Sequence, residues 1–308
     1  MQKKNGLNRH YCLGMACLAM GLAGQVSMGA VDYGVNNPAS LTTAGYTQNF
    51  DSLPAVTGTS ASLNGWYTVS ETDGNAGPRL DGWDIYTGAT PSSQGGVTGH
   101  DRLYGAGGTS VSSTGAFLDL GDSTTAGSNR ALGELSASTV GAMYMSVTLV
   151  NNTGSPITSL AVSYTGEIWR SGGTFVSGAN NNSLTFQYLE SPTGLIGVEY
   201  YPNSVASLKF NSPSTNNTGT AATYDGDKTT AVYPPVTLTG TIDLSASPLM
   251  PGQSIGLKWV GPGQASSTNA DALAIDNVSV VPTLAVPEPA SLGLLAVGGM
   301  ALVRRRRA

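Results

Sequence analysis

"AMYMSVTLVNNTGSPITSLAVSYTGEIW", residues 142–169, holds two runs of alternating residues on either side of a turn cluster. In the first run Met143, Met145, Val147 and Leu149 share one face, against Tyr144, Ser146 and Thr148 on the other. In the second, Leu160, Val162, Tyr164, Gly166 and Ile168 line up on one side. A two-residue period places successive side chains on opposite faces, so each run reads as a half-buried strand. Between them "NNTGSP" (151–156) collects residues that favour turns over ladders. The same pattern recurs at 236–244, where Val236, Leu238, Gly240, Ile242 and Leu244 alternate with Thr237, Thr239, Thr241 and Asp243, and at 254–260 with Ile255, Leu257 and Trp259. Further turn clusters stand at 121–129 and 211–219, and outside the two ends no segment sustains a 3.6-residue period. Strand after strand without intervening helices predicts an all-β fold, an antiparallel β-sandwich, with a jelly roll favoured over an immunoglobulin-like arrangement by the length.

The 308 residues are poor in charge, at 11% against the usual ~25%. Residues 31–283 hold seven basic and 18 acidic residues, a balance of −11 that the whole-chain value of −5 conceals. So acidic a body, with no basic patch interleaved with aromatics, excludes a nucleic-acid partner.

The basic residues missing from the body sit at the ends. Residues 1–30 combine Lys3, Lys4 and Arg9, an apolar run from Tyr11 to Gly24, and small residues up to Ala30. That three-part layout reads as a secretory signal peptide, in helical form, that engages the secretion translocon. Cys12 and Cys17 both lie inside it, so the secreted body is expected to carry no disulfide. At the other end, Ala290 to Val303 is an uncharged run of 14 residues followed by Arg304, Arg305, Arg306 and Arg307. It predicts a short membrane helix held by a stop-transfer cluster. Ahead of it Pro287-Glu288-Pro289 keeps the backbone extended and exposed. The expected organisation is a signal peptide at 1–30, a β-sandwich domain at 31–283, and a sorting tail at 284–308, with 282–289 as the linker.

"VPEPASLGLLAVGGMALVRRRR" (286–307) resembles the PEP-CTERM sorting tail in its three parts and their order. The resemblance implies recognition of Pro287, Glu288 and Pro289 by an exosortase in a Gram-negative bacterium that makes exopolysaccharide. Export would then pass through an inner-membrane intermediate to the cell surface, the outer membrane or the extracellular matrix. Within the body, "SNRALGELSAS", "VTLVNNTGSPITSLAVSYTGEIWR", "PGQSIGLKWVG" and "DALAIDNVSVV" resemble β-rich domains of bacterial exported proteins. The stretch "LAIDNVSV" is similar to the last strand of lectin-like and carbohydrate-binding jelly rolls.

Chemistry is sparse. His100 is the single histidine after residue 30, so neither a histidine metal cluster nor a triad with a choice of bases can form within one chain. Glu167, Glu190 and Glu199 lie in or near strands, but no tight acidic motif joins them. Glu167 falls on the face opposite the expected core, where it reads as a solvated carboxylate. No catalytic residue is assigned. In the last strand Leu273 and Ile275 share one parity, and Val278 and Val280 the other, so the phase slips at Asp276-Asn277. Such a slip marks a bulge. By the jelly-roll resemblance this bulge implies a structural calcium held by Asp276 with Asp51, since hard cations take oxygen ligands; the alternative is a bulge without metal. Trp66, Tyr67, Trp83, Tyr86 and Trp169 are the rings available as sugar platforms, with core packing as the competing role. Together these readings predict a non-enzymatic exported protein in contact with exopolysaccharide. The alternative is a secreted polysaccharide hydrolase using strand carboxylates.

Overall fold

The alternating runs of the sequence are strands in a computed structural model, which describes residues 38–53, 80–87, 103–105, 116–121, 129–136, 141–173, 182–190, 201–215, 218–228, 232–263 and 270–286. In chain order the strands are β1 (Ala39–Leu41), β2 (Tyr46–Gln48), β3 (Trp83–Thr87), β4 (Leu103–Gly105), β5 (Ala116–Leu120), β6 (Ala131–Leu135), β7 (Met143–Asn151) and β8 (Ile157–Ser171). They continue with β9 (Ser183–Glu190), β10 (Asn203–Ser204), β11 (Phe210–Asn211), β12 (Ala222–Thr223), β13 (Val236–Asp243), β14 (Ser254–Gly261) and β15 (Ala272–Leu284).

Two sheets form. One runs β1-β7-β14-β9-β10, with β3 also on β7 and β11 on β9. The other runs β12-β8-β15-β6-β5-β4, with β13 also on β8 and β2 on β15. Pairing is antiparallel except for β1 with β7 and β4 with β5, which run parallel. The long strands from β7 to β9 and from β13 to β15 alternate between the sheets, so "NNTGSP" is an arch from one sheet to the other and not a hairpin turn. The side chain of Asn151 holds this arch. Its Nδ2 donates to the carbonyl oxygens of Ser155 (2.9 Å) and Leu249 (2.7 Å), and its Oδ1 accepts from the Thr153 N–H (3.0 Å).

The faces read from the sequence are the faces observed. Met143, Met145, Val147, Leu149, Ile255, Leu257 and Trp259 from one sheet meet Leu160, Val162, Tyr164, Ile168, Leu273, Ile275, Val278 and Val280 from the other in a single core. Val236 departs from the pattern: at the open end of β13 it is 42% exposed, whereas Leu238 and Ile242 farther along are buried. Gly166 keeps the inner face of β8 bare because the ring of Phe210 lies on it, 2.6 Å from where a Cβ would stand. Among the described residues no helix is long and apolar enough to cross a membrane. The expected signal helix and C-terminal membrane helix, with Arg304 to Arg307, lie outside the described residues.

Trp259 is the hub of the core. Its ring stacks on Trp83 at 5.6 Å and meets Phe186 at 5.3 Å and Tyr164 at 5.6 Å edge to face. Tyr164 comes from the opposite sheet, so this cluster pins the two layers together. Trp259→Ala is therefore expected to cost about 3–5 kcal/mol, read as a lower midpoint in urea unfolding with loss of the near-ultraviolet aromatic signal. A midpoint unchanged from wild type contradicts this placement of the core.

Candidate functional site

Beyond the main core, the outer face of the β8–β15 sheet carries a second apolar cluster of Leu118, Leu120, Ala131, Leu135, Trp169, Ala270, Ala272 and Ala274. This cover changes the status of the carboxylates beside it. Glu167 pairs with Ala274, and Asp276 with Thr165, so the two acids are diagonal neighbours on that face. The parity reading of Glu167 is right, but the expectation of a solvated carboxylate is corrected. Glu167 is 3% exposed, and its Oε2 accepts a hydrogen bond of 2.8 Å from Trp169 Nε1.

The phase slip in the last strand is a real bulge. The β8–β15 register shifts between Asp276 and Ser279, and Asn277 sits at φ 50°. On its other edge β15 pairs first with β6, through Ile275, and then with β2, from Val278. The bulge fills the gap between those two partners. Asp51, in the turn after β2, bridges the same gap: its Oδ1 accepts from the backbone N–H of Arg130, just before β6, at 3.0 Å. Its Oδ2 accepts from Asn49 Nδ2 at 2.6 Å.

A third segment closes on this place. Asp225-Gly226-Asp227 forms a turn in which Lys228 pairs with Asp225, and Gly226 lies against Trp169. Asp227 Oδ2 accepts from Asn129 Nδ2 at 2.9 Å, while Asp227 Oδ1 is buried without a hydrogen-bond partner. Asp276 is in the same condition. It is 1% exposed, its Oδ2 takes a 2.6 Å bond from Asn277 Nδ2, and its Oδ1 has no partner. Burial above all, with the charges of Asp51 and Asp227 adding, pushes Asp276 up to about 7. Burial likewise pushes Glu167 up to about 8, against the Trp169 N–H and with Asp276, Asp227 and Asp225 adding. Asp227 is raised mainly by burial, with the neighbouring Asp225 carboxylate adding.

Several acids from segments far apart in sequence thus face one another across a partly dry space with two carboxylate oxygens unused. Oxygen-only donors of this kind suit a hard divalent cation such as calcium. Among the described residues no group of three or more acidic, histidine or cysteine side chains is placed so that it could hold a metal ion, so these carboxylates would have to close on a cation and share it with neutral oxygens. The orphaned Oδ1 atoms of Asp276 and Asp227 are the ones a cation would satisfy. Asp227, Asp225 and Glu167 escaped the sequence reading as members of this cluster. Asp225-x-Asp227 in a turn was the one local sign, and nothing in the sequence says that the turn packs on Trp169.

The sugar-platform expectation is corrected where it can be seen. Trp83 is fully buried in the main core and donates from Nε1 to Tyr46 Oη at 2.6 Å, and Trp169 is 2% exposed. Neither ring can stack on a pyranose, because each is used for packing. Trp66, Tyr67 and the Tyr86 side chain lie outside the described residues, as do His100, Glu199, Pro287, Glu288 and Pro289.

A separate acid lies between the sheets. Glu134 of β6 pairs with Leu273, which puts it on the inner face, where it presses against Gly261 of the opposite sheet. Its Oε2 has no hydrogen-bond partner. Nearby Asp271 accepts from the Gly172 N–H (2.7 Å) and from Ser212 Oγ (2.5 Å).

Comparison with known proteins places the tail. Residues 285–307 match the family model of the PEP-CTERM protein-sorting motif. The motif marks an exported protein handled by an exosortase at the membrane, here joined to an all-β sandwich. No curated protein matches the chain. Solved structures give distant likenesses. The enzymatically active domain of bacteriophage CBA120 tailspike protein 4 is 10% identical with a TM-score of 0.31, over 66% of this chain and 19% of that one. The Stig cyclase Fisc from Fischerella sp. TAU, in complex with an indole ligand, is 16% identical with a TM-score of 0.35, over 67% of this chain and 86% of that one. A second cyclase from Fischerella sp. TAU is 13% identical at 0.31, with the same coverage. The chain thus spans about a fifth of the tailspike domain, and at these scores none of the three bears on activity.

Glu134 gives a pH signature. Burial, with the Asp271 charge adding, pushes it up to about 8 from an ordinary value of 4.5. The folded protein therefore holds a proton that the unfolded chain releases. The stability this contributes is full below about 4.5 and is lost as pH rises to about 8, by about 5 kcal/mol in all. Thermal unfolding in chelator should show a melting temperature that falls over this window. Glu134→Gln, which keeps the shape without the titration, should make the fall shallower, with Glu167 and Asp276 supplying what remains; an equally steep fall in the variant overturns the assignment.

Proposed function

We propose that this protein is a non-enzymatic exported component of the cell surface or extracellular matrix, whose β-sandwich contacts exopolysaccharide. The observation that carries this reading is the sorting motif at 285–307 behind an acidic, all-β body. The motif supports handling at the membrane, and the scarcity of charged side chains suits a molecule that works among neutral, hydrated polymers. The hydrolase alternative loses its leading carboxylate, because Glu167 is buried and capped by Trp169. In the sorting step, Pro287-Glu288-Pro289 is the element gripped by the exosortase, while Arg304 to Arg307 hold the end of the chain on the cytoplasmic side.

A structural calcium completes the fold in this reading. Asp276 and Asp227 would offer their unpartnered oxygens, and Asp51 would join them across the gap between β2 and β6. The ion would supply charge neutralisation and would tie the end of β2 and the Asp225–Lys228 turn to the last strand.

Two measurements test these proposals. Calcium in excess should raise the melting temperature by several degrees, as expected for a ligand specific to the folded state. Asp276→Asn should abolish that rise while stabilising the metal-free protein by removing like-charge repulsion, whereas Asp243→Asn, on the exposed edge of β13, should respond as wild type. A melting temperature indifferent to calcium removes the metal from the proposal. For sorting, Glu288→Ala in the producing cells should leave the chain in the inner membrane with its tail intact, as read by fractionation and mass spectrometry of the C-terminus. Normal release of that variant contradicts exosortase handling through this residue.

A further inference from the structure

The bulge that positions Asp276 also opens a groove. Asn277 and Val278 drop out of the β8 ladder, while Val278, Ser279 and Val280 pair with Gln48, Thr47 and Tyr46 of β2. Along this short β2–β15 ladder runs a groove of about 300 Å³ lined by Thr47, Gln48, Asn49, Asn277, Val278 and Ser279. Thr47 stands directly opposite Ser279. Thr47, Asn49 and Asn277 are exposed and Ser279 is half-buried, whereas Val278 is buried and turns its side chain into the main core.

Three features of this groove define what it can hold. Among the described residues its lining contains hydroxyls and amides and no charged group, so they offer donors and acceptors without a net field of their own. Among the described residues it contains no aromatic ring, so a ligand that binds by stacking finds no partner on these walls. The acids lie directly behind it, since Asn49 Nδ2 donates to Asp51 and Asn277 Nδ2 to Asp276, each at 2.6 Å. Those bonds fix the two amides in orientation and set negative charge next to the groove, which disfavours an anionic ligand.

We propose that the groove of Thr47, Asn49, Asn277 and Ser279 binds a unit of an uncharged polysaccharide through its hydroxyl groups. This rests on the reading of the protein as a matrix component and gives that contact a place and a ligand class. The volume lies at the lower end of small-molecule sites, ~300–1,000 Å³, a size for one or two sugar units. Without stacking, a single contact is weak, with a Kd on the order of 1 mM. A repeating polymer that meets many displayed copies of the protein multiplies such contacts into firm retention.

The test is affinity electrophoresis of the full-length exported protein, in chelator, through gels holding the neutral or the acidic fraction of exopolysaccharide from the producing cells. Wild type is expected to be retarded by the neutral fraction and not by the acidic one. Thr47→Val, which keeps the branched shape, with Ser279→Ala, which adds no bulk, removes two hydroxyls and should weaken retardation about tenfold at an unchanged melting temperature. Thr47→Val alone, a single change on the β2 wall, should weaken it in part if the double variant proves unstable. Retardation of folded variants equal to wild type overturns the groove and leaves the matrix reading standing. Retardation by the acidic fraction alone overturns the ligand class. Wild-type protein that neither fraction retards overturns the groove and the matrix reading together.

Discussion

The sandwich depends on one cross-layer contact, the meeting of Trp259 with Tyr164. Trp259 stands in the middle of β14, flanked in its own sheet by Trp83 and Phe186, and Tyr164 rises to it from β8. Tyr164 then passes the constraint on, because its hydroxyl donates to the Leu208 carbonyl at 2.7 Å and so anchors the single turn of 3-10 helix at Ala206–Leu208. With the layers fixed at this point, the alternating strands have one way to bury their apolar faces. A one-residue slip of β14 or β8 would turn Trp259 or Tyr164 to the outside, so the aromatic contact also sets register.

The second consequence lies on the outer face. A sandwich normally leaves that face to water, and its residues are then free to be polar. Here the Asp225–Lys228 turn and Trp169 cover part of it, and acids that would be harmless in water are held with little solvent. The bulge at Asp276-Asn277 does two things at once. It aims a carboxylate into the covered space, and it moves the following residues out of the ladder to leave a groove beside β2. Cation and ligand proposals therefore meet at one irregularity of one strand. Irregularities of this sort sit where a chain gives up ladder pairing in exchange for placing a side chain.

Much of this was legible from residues alone. The alternation of 143–149, 160–168 and 255–259 gave the correct inner faces because burial on one side of a strand leaves a two-residue period in the sequence. The phase change between Ile275 and Val278 located the bulge for the same reason. The sugar-platform reading of Trp83 and Trp169 failed, since a buried and an exposed tryptophan look alike in a sequence. The reading of Glu167 as solvated failed because it assumed that the outer face of a strand is wet.

The sequence by itself determined the long strands β7, β8, β13, β14 and β15, most of their inward faces, the bulge and the sorting tail, since each is written in neighbouring residues as a period, a break in a period, or a short linear motif. Tertiary structure alone decided that β7 and β8 belong to different sheets and that "NNTGSP" is an arch between layers. It also decided that Asp51, Asp227, Glu167 and Asp276 face one another, with a groove beside them. These are contacts between segments up to 225 residues apart, and a contact at such range leaves no local period, because it is set by how the layers stack and which loop comes to rest on which face.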